Sequence, residues 1–572
     1  MTFPILLTQR LRDALAKAVP DLPADVTLDV TPAADTRYGD YQANAAMVLA
    51  KRLGRNPRAL AADIIAAFDT ADLCGTPEIA GPGFINFRIS PAVLAGRLSE
   101  LLGDAKLGVA PVATPRTVVI DFSAPNVAKR MHVGHIRSTI IGDALARIAR
   151  FVGHRVITDN HIGDWGTQFG MVIYGWKHFR DEPALEADAI GELLRLYKKV
   201  NELEKADPGI REACKAELVK LQQGDPDNRA IWERVVAASL KALDAIYRRL
   251  DVTFDHTLGE SFYNDRLAPL VEEFLNRGLA RESEGAVCIF FEDVPAMKDK
   301  APAIIRKSDG GFGYATTDLA TVEYRVKEWN ADEIWYVVGQ PQALHLEQVF
   351  EACRRWGFAP KMTHVAFGSI LGPDGRMFKT RSGESVGLVE VLEEAVERAR
   401  GIVEGKNPDL SEEEKTAVAL SVGLGAVKYA ELSQHRLTDY KFSWEKMLSL
   451  QGNTAPYLQN AYVRSRAIFR KLDEAPDLAG PFPIGEDAER ALLLKLAQFA
   501  EVVPAVLEDF RPNLLAAYLY DVATGFHSFY EACPVLRSEG TVRAARLAIC
   551  ELTSRVLRTG LGLLGITVTD KM

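Results

Sequence analysis

The chain has 572 residues, of which 48% are hydrophobic and 25% charged, with a formal net charge of -9. That length predicts three or four domains with ample core, and the acidic total excludes a general nucleic-acid coat while leaving room for a local basic face that binds RNA. The six cysteines (Cys74, Cys214, Cys288, Cys353, Cys533 and Cys550) include no C-x-x-C pair, so neither a zinc ribbon nor a disulfide framework is indicated.

In chain order, the opening "MTFPILLTQRLRD" has too short an apolar run for a signal peptide. No later stretch is long enough to span a bilayer, and a reducing cytoplasm is the expected setting. Residues 1–108 read as a small α+β module, with a helical "NAAMVLAKRL" and a strand-like "GPGFINFRIS" in which Ile85, Phe87 and Ile89 alternate with polar residues. "GVAPVATPRT" follows as a linker. From Thr117 the pattern turns α/β: "TVVIDF" is a buried strand, a loop follows, then a helix with Ile140, Ile141, Ala144, Leu145 and Ile148 on one side, then the strand "HRVITDN". Strand, loop, helix and strand predict a Rossmann-like, doubly wound parallel sheet. Residues from about 172 to 250 read as a charged helical insertion, after which the α/β core is expected to resume with "AVCIFF", "GGFGYATTDLA", "EIWYVV" and "HVAFGSIL". From about Asp409 the pattern is helical with no β-period. The expected domains are 1–108, a catalytic core at 109–408, connecting helices at 409–450 and an all-α bundle at 451–572.

The chemistry concentrates in "DFSAPNVAKRMHVGHIRSTIIGD", where His132 and His135 stand at the mouth of the first core helix. Metal ligation is disfavoured: no cysteine lies near, and the spacing is not the i, i+4 of H-E-x-x-H. No bound metal is expected anywhere in the chain. The glycine cradles of dinucleotide and P-loop folds are absent too. What remains is either a pair of ordinary loop histidines or a phosphate-handling device. A helix N-terminus favours anions, and preorganised imidazoles can donate to a phosphate as its charge rearranges. Gly134 removes a Cβ where a flat ring could approach the backbone.

His-Val-Gly-His matches the "HIGH" signature of class I aminoacyl-tRNA synthetases, and its flanks resemble the arginyl-tRNA synthetases in particular. The resemblance implies that Lys129, His132, Gly134 and His135 serve ATP, supplied as its Mg²⁺ complex. "GPDGRMFKTRSGES" stands where the family carries "KMSKS", so Arg376, Lys379 and Thr380 would complete the ATP site, with Lys379 favoured over Arg376 as the catalytic cation. By the same carry-over, Asp121, Ser123 and Asn126 would hold the α-amino and carboxylate groups of arginine. Glu260, Tyr314, Asp318 and Gln342 would surround its guanidinium, a rigid fork of donors that demands carboxylates.

The flanking modules resemble that family's additional N-terminal domain and anticodon-binding domain. In "APYLQNAYVRSRAIFRK", Tyr457, Asn460, Tyr462 and Arg464 are candidates for tRNA contact, since aromatics beside arginines suit single-stranded loops. The implied activity is ligation of arginine to tRNA(Arg) through an adenylate, with activation dependent on tRNA. The implied partners are tRNA(Arg), L-arginine and ATP, and a monomer with no membrane association is expected.

Overall fold

The computed structural model describes residues 1–572 except 20–27, 34, 36, 167, 373 and 377–385. Its centre is a four-stranded parallel sheet in the order Lys361–His364, Glu333–Val337, Thr117–Phe122, Arg155–Asp159. The chain winds outward from Thr117–Phe122 to one side, then returns to build the other side. The strand order therefore reverses between Thr117–Phe122 and Glu333–Val337, and a crevice opens at their carboxyl ends. Both strands are buried along nearly their whole length, as a sheet covered on two faces requires.

The helix Gly134–Phe151 crosses from the first strand to the second and packs unusually close. A Cβ on Gly142 would lie 2.2 Å from Cγ of Phe122, so only glycine permits this approach. Five helices between Gln168 and Arg249 follow, ending in the long Pro226–Arg249, which lies under the loop after the first strand.

One expected core strand lies elsewhere. "AVCIFF" supplies Ala286–Ile289, the middle of a separate antiparallel sheet with Arg281–Ser283 and Ala303–Arg306. The cause is local: Glu284 and Gly285 both have positive φ (52° and 79°), which makes the two-residue turn of a hairpin. A hairpin cannot feed a parallel sheet. The helical C-terminal half likewise contains one short exception, Tyr440–Lys441, which pairs in parallel with Ile370–Leu371.

The N-terminal module holds a four-stranded antiparallel sheet, Val30–Pro32, Tyr41–Ala43, Phe84–Phe87, Glu78–Ala80, backed by three helices. It docks on the C-terminal bundle: Arg490 Nη1 donates to Asp40 Oδ1 at 2.9 Å, and Tyr41 donates to Glu501 at 3.0 Å. The bundle is built from Ala455–Phe469, Asp487–Ala497, Phe499–Glu508, Pro512–Ala532 and Gly540–Leu563. All six cysteines are free and buried. No described helix is long and apolar enough to cross a membrane.

Gly142→Ala tests the close packing. Overpacking against Phe122 should destabilise by about 1–3 kcal/mol, outweighing the roughly 1 kcal/mol helix-propensity gain. A lowered melting temperature is the expected result, and an unchanged or raised one would show that the helix can shift aside.

Candidate active site

The backbone leaving the first strand is strained. Ser123, Ala124 and Ala128 have φ of 71°, 44° and 62°, values that non-glycine residues adopt at a cost of about 1–2 kcal/mol each. Side chains hold it there. Ser138 Oγ accepts from Ser123 N at 2.8 Å, Asn160 Oδ1 from Ala124 N at 3.1 Å, and Ser239 Oγ from Ala128 N at 3.1 Å. Tyr247 closes the set, its hydroxyl 2.8 Å from Ser123 Oγ and 3.1 Å from Asn160 Nδ2. Ser239 and Tyr247 come from the last insertion helix, so the insertion buttresses the loop.

This loop forms one wall of a cavity of about 770 Å³ at the crevice between the strand ends. Asp121, Ser123 and Asn126 line it beside His132, Gly134 and His135, and Tyr314, Asp318 and Gln342 close the far side. Sequence positions 121 to 342 thus meet in one space.

The histidine end is preorganised. Gly134 N donates to His132 Nδ1 at 3.1 Å, and His132 N donates to His135 Nδ1 at 3.1 Å. Both Nδ1 atoms are therefore acceptors, which leaves the proton of each neutral ring on Nε2. Burial lowers the pKa of both: His132 falls below its ordinary value, and His135, with the His132 ring adding to the effect, falls to about 4. The rings sit 4.0 Å apart as neutral donors at a helix N-terminus, an arrangement suited to an anionic ligand. Gly134 makes room for it, because a Cβ there would meet His132 Cε1 at 2.8 Å.

The opposite end is acidic. Asp318 lines the cavity there, whereas Glu260 is not among its lining residues; Glu260 opens the short helix Glu260–Tyr263, which is anchored where Asp164 accepts from Ser261 N at 2.8 Å. Burial lifts the Glu260 carboxyl to about 7; His161 opposes this, while the negative charges of Asp318 and Asp164 add to it. Burial raises Asp164 as well. Asp318 accepts from His345 Nε2 at 2.5 Å; burial opposes charging of that imidazole, but the bond and the charge of Asp318 outweigh it and raise its pKa. Tyr314, at 71% exposure, stands at the rim one helical turn from Asp318. A cluster of carboxylates under an aromatic rim suits a cationic group with several donors.

Other expected residues lie apart. Lys129 Nζ is 5.3 Å from the centre of the Tyr197 ring and lines a second cavity of about 400 Å³, on whose wall Asn126 is shared. Arg376 is exposed on a tight turn, where Gly372 N donates to its carbonyl at 2.7 Å. Lys379 and Thr380 lie outside the described residues. The chain returns at Val386 directly onto the first motif: Val133 N donates to Val386 O at 2.9 Å, and Leu388 N to Met131 O at 3.0 Å.

In the bundle, Tyr457 is half-buried beside Tyr520 and His527, and exposed Arg464 sits over the Tyr530 ring. Asn460 faces a small recess shared with Leu450 and Met572. The expectation for Tyr462 needs correction. Its ring is 1% exposed, and its hydroxyl is engaged by Arg558 and Asp570, so it packs the bundle and offers no free face for stacking. Sequence reasoning missed His161, His345, Asn160, Ser239 and Tyr247; only "TDNHIGD", directly after a core strand, carried a readable signal for any of them. Among the described residues no group of three or more His, Cys, Asp or Glu is arranged to hold a metal ion.

Gly134→Ala should push the His132 ring off the helix terminus. Followed by NMR titration, that imidazole should move back up toward the ordinary histidine range while the fold melts as before. A titration identical to wild type would mean the ring is not held by this contact.

Comparison with known proteins agrees with this architecture along the whole chain. Residues 97–444 match the family model for class I tRNA synthetases (R), catalytic domain; residues 458–572 match the DALR anticodon binding domain, and residues 6–89 the arginyl tRNA synthetase N terminal domain. The arginine–tRNA ligase of Chromobacterium violaceum is 47% identical over 100% of both chains, and that of Thermobifida fusca 45% identical over 99% of both. Among solved structures, the arginyl-tRNA synthetase of Plasmodium falciparum superposes with a TM-score of 0.85 at 28% identity, covering 100% of this chain and 99% of that one. The Thermus thermophilus enzyme gives 0.81 at 28% identity, with 99% and 100% covered. A strained loop, a neutral histidine pair and an acidic recess at the switch point of a parallel sheet are thus set within three matched domains, and the chain belongs to the arginyl-tRNA synthetases of class I.

Proposed function

We propose that the chain ligates L-arginine to tRNA(Arg) at the expense of ATP, forming arginyl-adenylate and pyrophosphate first and then acylating the terminal adenosine. The observation that carries this reading is the polarity of the cavity, with neutral Nε2–H donors at one end and, at the other, half-buried Asp318 on the wall with half-buried Glu260 in electrostatic reach of it. An ATP phosphate suits the first end and a guanidinium the second. The substrate carboxylate then lies between them, where it can attack the α-phosphorus in line.

In this mechanism His132 and His135 donate to the α-phosphate oxygens as charge shifts onto them, with little reorganisation because both rings are already fixed. MgATP enters as substrate. Lys379 neutralises the departing pyrophosphate, and Lys129, leaving the Tyr197 ring, adds a second positive charge. Asp121 and Asn126 hold the amino-acid head, while Glu260 and Asp318 pair with the guanidinium under Tyr314. Partial burial of these carboxylates favours strict selection, since lysine would leave them incompletely bonded. The tRNA lies along the C-terminal bundle through Tyr457 and Arg464, and activation waits for it. The chain acts as a monomer in the cytoplasm, a compartment suited to six free thiols.

Pyrophosphate exchange with each amino acid in turn, with and without tRNA, tests the function. Exchange is expected with arginine alone and only when tRNA is present. Exchange with another amino acid, or with none under either condition, would overturn the assignment.

The acidic recess yields a pH prediction. Only ionised Glu260 can pair with a guanidinium, and its carboxyl is half protonated near pH 7. Arginine KM should therefore fall as pH rises from about 6 to about 8. Glu260→Gln should raise KM and flatten this dependence; a Gln variant with an unchanged slope would assign the titration to another group.

A further inference from the structure

Beneath the cavity wall, helix Tyr314–Lys327 carries a guanidinium to which the mechanism above gives no task. Arg325 is 0% exposed, and its Nη2 donates to Asp121 Oδ2 at 2.6 Å and to Asp159 Oδ2 at 2.7 Å. The two carboxylates stand opposite one another at the carboxyl ends of adjacent parallel strands, and Tyr336 pairs with Asp121 from the third strand. The guanidinium lies 5.6 Å from the centre of the Tyr336 ring. Among the described residues its Nε and Nη1 have no hydrogen-bond partner, and neither does Asp159 Oδ1.

As a stabilising device this cluster is poor. Two buried acids share one nitrogen of a single cation while two other donor nitrogens go unused, and buried ion pairs rarely repay their desolvation even when fully bonded. Its geometry has a clearer use. Asp121 alone of the three lines the substrate cavity.

We propose that Arg325 is a positioning residue for the amino-acid head: it fixes the Asp121 carboxylate on the cavity wall and keeps it ionised beside a second buried acid. This rests on the reading of Asp121 as partner of the substrate α-amino group. The groups facing Asp121 are Asp159 on the second strand, His161 just beyond it, Tyr336 on the third strand, Tyr263 on the short helix and Arg325 itself. Asp318 acts electrostatically on Tyr336 as well. Arg325 is the one group among these that is positively charged at every working pH. Burial already pushes the Asp121 carboxyl above its usual range, and Arg325 opposes that push. Without the guanidinium, two carboxylates one strand apart would share a proton, and a neutral Asp121 would hold an ammonium weakly.

The test is tRNA-supported pyrophosphate exchange by wild type, Arg325→Gln, Arg325→Lys and Asp121→Asn across about pH 6 to 9. Arg325→Gln should raise arginine KM by roughly ten- to a hundredfold at pH 7 and leave ATP KM unchanged. The ratio of its arginine KM to that of wild type should shrink as pH rises and Asp121 regains its charge. Arg325→Lys should restore much of the loss at neutral pH, and Asp121→Asn should raise arginine KM at every pH. A pH-independent loss shared by both substrates, or a lower melting temperature with wild-type kinetics, would make Arg325 structural and overturn the proposal. An Asp121→Asn variant with normal arginine KM would instead remove the reading of Asp121 on which the proposal stands. Should Arg325→Gln fail to fold, Arg325→Lys decides. Its single ammonium keeps the charge but cannot match both carboxylates, so a rise in arginine KM smaller than that of Asp121→Asn, with ATP KM unchanged, supports the proposal, and an equal rise in the KM of both substrates overturns it.

Discussion

The left-handed backbone between Ser123 and Ala128 is the constraint around which the active cavity is arranged. A strand that runs straight into a helix leaves no room for a ligand at its end. Here three non-glycine residues turn the wrong way, so the chain swings out before Gly134 begins the helix. Strain of a few kcal/mol persists only where the surroundings over-determine the conformation. They do so through Ser138, Asn160, Ser239 and Tyr247, drawn from the first core helix, the second strand's end and the insertion. The insertion, which by pattern was only a charged helical stretch, is therefore tied to the integrity of the cavity.

The electrostatics of the two ends follow from burial more than from composition. The same desolvation that keeps His132 and His135 neutral lifts Glu260 toward neutrality. Neutral imidazoles are good donors to an anion. A carboxyl poised near 7 stays ready for a cation without storing the full repulsion of Asp164 and Asp318. Burial thus keeps the histidine pair neutral at one end and raises the pKa of Glu260 beside the charged Asp318 at the other.

Much of this was legible in the sequence. The parallel-sheet core, the helical insertion and the C-terminal bundle are visible as shifts in hydrophobic period. Asp121, Ser123, Asn126, Tyr314, Asp318 and Gln342, which meet in one cavity, were nameable only through the resemblance that His-Val-Gly-His and its flanks carry; the spacing of Tyr314 and Asp318 by itself put them no more than one helical turn apart. What escaped depends on contacts between segments far apart in the chain. Ser239 and Tyr247 look like any polar face of a long helix, and nothing local says that they reach the loop at 123–128. His345 gains meaning only through Asp318. Tyr462 misled for the same reason, since an aromatic on an amphipathic helix reads alike whether it faces a neighbour or solvent. "AVCIFF" misled because its apolar run outweighed the Glu284-Gly285 turn that makes it a hairpin.

On either side of His132 the main chain is bonded to the start of the helix Leu388–Lys406: Val133 N donates to Val386 O and Leu388 N to Met131 O. Bonds of this kind join backbone to backbone, so a load on that helix is passed to the peptide units that carry the imidazoles and not to the rings themselves. The histidine pair and the helix Leu388–Lys406 therefore share one mechanical frame, although more than 250 residues of chain separate them.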